Sequence, residues 1–267
     1  MTLIAAFRCD NAAVICADSQ ETVGDYRVTV DKIKPQDAGR YELVIGGAGA
    51  SGPLLDRFML DVVHAVQNWP ENLASDKIES RLVDLFRTFH LAYISISTYQ
   101  SEDFAFIVCI RSKTSHQISL WQLRDIAVLP ITSYSLIGWD ESLYHHEVQW
   151  LFQSRSWINH AVMMGIRLFV MAEATSNYIK GPLQLIVVDE DKGMRVYDQA
   201  DVKELQRRVE PFNKVLRDVV LNASDMSIPE GELMAVLRVF EDRILDLRAH
   251  FTGRSRFMGI IENLPKP

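Results

Sequence analysis

Four stretches decide how this chain folds: Thr2-Leu3-Ile4-Ala5-Ala6-Phe7-Arg8, then Val14-Ile15-Cys16-Ala17-Asp18-Ser19-Gln20-Glu21-Thr22-Val23-Gly24, then Asp31-Lys32-Ile33, then Gly47-Ala48-Gly49. Residues 3–8 and 12–17 are short apolar runs split by Cys9-Asp10-Asn11, a turn signal that makes them a hairpin. Residues 27–30 and 41–45 are rich in β-forming side chains, giving four strands in all. Residues 46–53, GGAGASGP, break the pattern; Ser51 suits a helix N-cap and Pro53 a first turn.

Downstream the period becomes helical. Leu54, Leu55, Phe58, Met59, Val62, Val63 and Val66 share one face, and the helix ends near Trp69-Pro70. A second helix is expected over 75–94, with Ile78, Leu82, Leu85, Phe86, Phe89 and Leu91 on its apolar side. Strands follow at 104–110, 117–122, 126–130 and 133–137, helices at 141–153 and 158–177, and a strand pair at 183–188 and 194–197. Two strand groups and two helix groups predict a layered α+β domain over 1–199, with helices outside packed sheets. Residues 200–267 read as a helical hairpin extension, with helices at 203–220 and 230–251.

The chain has 267 residues, 28 basic and 35 acidic, for a net charge of −7. It is 48% apolar, which is globular rather than disordered composition. The acidic balance argues against nucleic acid and anionic membrane as partners, since no net positive field draws them in. No apolar run reaches the ~18 residues of a membrane span. Arg8 and Asp10 come too early for a signal peptide, so a cytoplasmic location is expected. Cys9, Cys16 and Cys109 are odd in number and lie in strand-like surroundings, as reduced core thiols do.

Gly47-Ala48-Gly49-Ala50-Ser51-Gly52 matches a dinucleotide-binding fingerprint between a strand and a helix. A nucleotide fold needs a parallel strand straight after that helix, whereas here a second helix follows. The glycines are expected instead to make a tight strand-to-helix turn, whose exposed N–H groups can hold an oxyanion. His145-His146-Glu147 lacks metal-ligand spacing, and no metal or organic cofactor is expected. Trp139, Trp150 and Trp157, with Tyr144 and Phe152, read as core or subunit-contact aromatics.

Thr2 carries the chemistry. Removal of Met1 before a small second residue leaves a hydroxyl nucleophile and an amine base on one residue. Such an amine titrates near pH 7.7–8.0, poised to take the hydroxyl proton. The quoted stretches together resemble the proteasome β-subunit family of N-terminal nucleophile hydrolases. That family pairs its N-terminal threonine with A-x-D-S/G-x-x-T-x-G, a K-I/V strand start and an A-G turn. The resemblance spans residues 2–198 and is specific over the first fifty.

The resemblance implies a four-layer αββα sandwich with a C-terminal helical extension, and a threonine-type endopeptidase. It makes Thr2 the nucleophile, Asp18 the residue that orients the lysine, and Lys32 that lysine. Gly49, with Ala48, becomes the turn whose N–H stabilises the oxyanion. Thr22 and Gly49 pair with the substrate backbone, and Gly47 falls at a specificity-pocket position, leaving it roomy. It also implies a ring-like, self-compartmentalised homo-oligomer that takes unfolded polypeptide or peptide, with room for an ATP-dependent unfoldase. The chain departs from the pattern in two places. Asp18 to Lys32 is two residues short of the usual spacing, which Lys34 satisfies; Ile33 after Lys32 favours Lys32. The serine and aspartate that normally bond the threonine amine are replaced by Gly138-Trp139-Asp140 and Ser176-Asn177-Tyr178-Ile179-Lys180-Gly181. Asp140, Ser176 and Asn177 are the available substitutes. A proteasome-like scaffold without turnover and a small-amide hydrolase are the alternative functions.

Overall fold

The computed structural model describes residues 2–23, 26–71, 73–95, 104–139, 141–152, 156–225 and 227–253. The chain divides into two compact units, Met1–Val202 and Lys203–Pro267. The first unit opens with β1 (Leu3–Arg8), β2 (Ala12–Ala17), β3 (Gln20–Val23), β4 (Tyr26–Thr29), β5 (Ile33–Ala38) and β6 (Tyr41–Gly49). Helices α1 (Gly52–Gln67) and α2 (Ser75–Phe89) follow, the latter running into a π-turn at His90–Ile94. Then come β7 (Phe104–Ser112), β8 (Ile118–Arg124), β9 (Ala127–Pro130), β10 (Tyr134–Gly138), α3 (Glu141–Leu151), α4 (Ile158–Thr175), β11 (Gln184–Asp189) and β12 (Gly193–Val196). Helices α5 (Gln199–Ser224) and α6 (Glu230–Gly253) complete the chain, which is α+β with six α-helices among the described residues.

Two five-stranded sheets form, in the orders β10-β1-β2-β11-β12 and β5-β6-β7-β8-β9, with β3 and β4 as a separate ribbon. Every ladder is antiparallel. Alternate residues of a strand face opposite sides, so a strand buried throughout is covered on both faces. Such is the case for β2 and β7. Ile4, Ala6, Ile15 and Ala17 from the first sheet share a core with Val44, Ala48, Ile107 and Cys109 from the second. On the other face of the second sheet, Leu43, Ile45, Phe106 and Val108 pack with Phe58, Val62, Leu82 and Phe86 of α1 and α2. Helix α4 lies against the first sheet, and Gly165 is what lets it approach: a Cβ there would sit 2.5 Å from Cys16 Sγ. All three cysteines are buried and free, and burial pushes the Cys9 and Cys109 thiols up to about 12, which makes them unreactive.

The structure adds two strands to the four expected before α1. β3 is mostly polar and pairs with β4 alone, so its sequence shows no apolar alternation. β5 carries Pro35 and two charged residues, Lys34 and Asp37, which an edge strand tolerates because one side of its backbone has no ladder partner. The expected glycine turn is also corrected: Gly46, Gly47 and Gly49 are strand residues, paired with Ile107, Phe106 and Phe104. Since β6 and β7 run antiparallel, the glycine fingerprint has no parallel-sheet setting. Crowding explains the small residues. A Cβ on Gly46 would lie 2.7 Å from Ile33, and one on Gly47 2.9 Å from the Phe106 ring.

In the second unit Phe212 and Phe240 stack with ring centres 5.6 Å apart, and the Arg208 guanidinium bridges Glu204 and Asp246. No helix among the described residues is long and apolar enough to cross a membrane.

Candidate active site

Asp18 directly follows β2, and Lys32 directly precedes β5. Both side chains are nearly inaccessible, at 2% and 5% exposure. Asp18 Oδ2 accepts a hydrogen bond from Lys32 Nζ at 2.7 Å, and its Oδ1 accepts the Leu3 amide at 2.8 Å. One carboxylate therefore ties the lysine to the residue after Thr2. Lys32 Nζ donates a further bond to the Gln20 carbonyl at 2.5 Å. Gln184 of β11 holds the lysine backbone: its Oε1 accepts the Lys32 and Ile33 amides, while its Nε2 donates to Val30 O and Asp31 Oδ1.

Burial dominates the electrostatics of this pair. It lowers the lysine below its ordinary range, and the Asp18 charge and hydrogen bond oppose that shift, with a smaller contribution from Glu21. Burial likewise raises Asp18, opposed by the Lys32 charge and hydrogen bond and by the Leu3 amide. Lys34 lies elsewhere. Its ammonium pairs with Asp56 of α1 at 2.6 Å, where both side chains are solvent-accessible.

Thr2 is half-buried at the head of β1, and its carbonyl accepts the Trp139 amide at 2.7 Å. Gly138 sits beside it with φ +113°, and a Cβ on Gly138 would come 1.9 Å from that carbonyl oxygen and 3.4 Å from Ala48 Cβ. Thr2, Gly138 and Ala48 thus converge on one point. Gly49 is exposed at the C-terminal end of β6. Gly47 does not open a pocket as expected. Its missing side chain would project into Phe106 and Leu55 of the helix-facing core, so the space is filled from that side. Thr22 lies opposite Arg27 in the ribbon, on a strand with a ladder partner on one side only.

The fold is similar to that of the Anbu proteins. Anbu (ancestral beta-subunit) from Yersinia bercovieri superposes with a TM-score of 0.67 at 13% identity, covering 86% of this chain and 100% of that one. Anbu from Hyphomicrobium sp. strain MC1 gives 0.65 at 14% identity over 85% of this chain, and an Anbu (Gly-1) mutant from the same strain gives 0.66 at 15% over 85%, each covered completely. No family model matches the chain, and no curated protein matches it. These findings correct the family assignment suggested by the first fifty residues. At 13–15% identity the Anbu likeness establishes a shared fold, and membership of the proteasome β-subunit family does not follow from it.

Of the three candidates for bonding the threonine amine, Ser176 and Asn177 lie together in the turn after α4. Ser176 is buried, and its hydroxyl accepts the Tyr178 amide at 3.1 Å within its own turn. Asn177 is exposed, and Asp140 lies outside the described residues. Two residues near the lysine were not singled out from the sequence. Gln184 sits 152 positions from Lys32 and carries no motif. Glu21 lies inside the quoted motif but reads there as a spacer between Asp18 and Thr22.

Proposed function

We propose that the protein is a threonine-type endopeptidase whose nucleophile is Thr2, exposed by removal of Met1. The observation that supports this reading most is the Asp18 carboxylate, bonded at once to the Leu3 amide and the Lys32 ammonium. It anchors a buried cation at the head of β1, where Thr2 stands. Together with the packed sheets and outer helices, the reading takes the first unit as a four-layer αββα sandwich. The substrate is unfolded polypeptide or peptide, added as a strand against Thr22 and Gly49. The enzyme works in the cytoplasm as a ring-like homo-oligomer and needs no cofactor.

The Thr2 Oγ attacks the scissile carbonyl carbon while the Thr2 amine takes the hydroxyl proton. Lys32, as a buried cation, favours the alkoxide character that develops. The Gly49 N–H bonds the oxyanion of the tetrahedral intermediate. Collapse breaks the C–N bond, the leaving amine takes the proton, and an ester to Thr2 remains. Water, deprotonated by the Thr2 amine, then cleaves the ester and returns Thr2.

A scaffold without turnover is the competing reading, favoured by Ser176, whose hydroxyl is bonded within its own turn. Intact mass and a threonine-directed covalent probe decide between them. Endopeptidase action requires that Met1 be absent, that the probe label Thr2, and that Thr2→Ala abolish cleavage of a fluorogenic peptide panel. Retained Met1, or equal background from both proteins, refutes it.

A further inference from the structure

Helix α1 begins three residues after Gly49, so whatever fixes its first turn also fixes the end of β6. That turn is undersupplied from its own sequence. Ser51 occupies the N-cap position but its side chain makes no cap hydrogen bond. The first turn carries no acidic residue, and Pro53 has no N–H to offer. Helix N-termini present unpaired N–H groups and partial positive charge, which an anion stabilises.

Glu21 supplies that anion from another element. It sits on β3, and its Oε1 lies 3.0 Å from the point where a Cβ on Gly52 would stand, so its carboxylate rests against the first residue of α1. The preceding residue, Gln20, gives its carbonyl to Lys32 Nζ. The Glu21 charge also acts on Lys32, where it works with Asp18 against burial. The Glu21 carboxylate therefore rests against the N-terminus of α1, one residue along β3 from the carbonyl that holds Lys32.

We propose that Glu21 is a positioning residue that clamps the N-terminal turn of α1 to β3, and with it Gly49. The absence of a side chain on Gly52 is the other half of the device, because it admits the carboxylate. The functional weight of the clamp rests on the proposed role of Gly49, but its existence does not.

The test separates the two. In the full chain, amide hydrogen exchange over residues 49–55 is measured for wild type, Glu21→Gln, Glu21→Ala, Gly52→Ala and the Glu21→Ala, Gly52→Ala double variant. Loss of an anion at a helix N-terminus speeds exchange about two- to fivefold in Glu21→Ala. Glu21→Gln keeps the shape and removes the charge, so exchange speeds in that variant too, a change that a purely steric role would not produce. Gly52→Ala displaces the carboxylate and speeds exchange in the wild-type background, but not when added to Glu21→Ala. Unchanged exchange in Glu21→Ala, unchanged exchange in Glu21→Gln, or additive effects of Gly52→Ala and Glu21→Ala overturns the clamp. None of these readouts requires turnover, so an unlabelled Thr2 counts against the endopeptidase and not against Glu21.

Discussion

Replacing Lys32 with methionine isolates what the buried ion pair contributes. Methionine keeps much of the side-chain volume and removes the ammonium, leaving Asp18 bonded to the Leu3 amide inside the fold. Both partners are almost wholly shielded, so solvent does not screen the loss. Removing one member of a buried pair costs about 3–5 kcal/mol, because the remaining charge is left uncompensated. The pH dependence carries the sharper signature. Burial already holds Asp18 above its ordinary 3.8, and Lys32 is the main influence opposing that rise. In Lys32→Met the folded-state value climbs further, while the unfolded chain keeps 3.8. Between those values the folded form binds a proton that the unfolded form does not, so stability falls as pH rises through the window. Urea unfolding followed by tryptophan fluorescence is expected to give the full deficit at pH 7.5 and a shrinking one as pH falls toward 4. The Asp18→Asn, Lys32→Met double variant recovers part of the loss at pH 7.5, because no buried charge remains. A deficit below about 1 kcal/mol at pH 7.5, or one equal at both pH values, refutes the reasoning.

Lys34→Ala is the matching control: its partner Asp56 is exposed, so stability changes by less than about 1 kcal/mol and the rate of Thr2 labelling by the covalent probe stays at the wild-type value. Gly138→Ala places a Cβ into the Thr2 carbonyl at a positive φ, so the same probe is expected to lose Thr2 labelling even under conditions where circular dichroism reports a folded chain. Phe58→Ala empties the centre of an aromatic cluster whose rings from Phe106, Phe89 and Phe86 lie 4.3, 4.9 and 5.6 Å away, and urea titration is expected to show a loss of about 3–5 kcal/mol.

The readable parts of this chain are those where local pattern and burial agree. Strands β1 and β2 announce themselves because both their faces are buried and every residue is apolar or small up to Arg8. Helices α1 and α2 announce themselves because one apolar face repeats at helical spacing against the second sheet. β3 and β5 are illegible for the opposite reason. One is a polar ribbon strand and the other a charged edge with a proline, so neither shows burial in its sequence. The glycine run misleads because glycine marks a turn and a crowded strand alike, and only the neighbours Ile33, Ile4 and Phe106 reveal the second case.

Taken by itself, the sequence determined the α+β order of elements, the placement of Thr2 at the head of the first strand, and the motif that contains Asp18. Those depend on contacts between near neighbours in the chain and on which residue types suit a turn, a strand or a helix. It left Lys32 and Lys34 as rivals, since one had the right following residue and the other the right spacing. The tertiary structure gives them different partners: Lys32 lies before β5 begins and turns inward to Asp18, whereas Lys34 lies within the strand and reaches Asp56 on α1. It also brought Gln184 and Glu21 to the lysine and removed the space once expected at Gly47. Each of those outcomes depends on where distant segments approach one another, a quantity that no local pattern of side chains encodes.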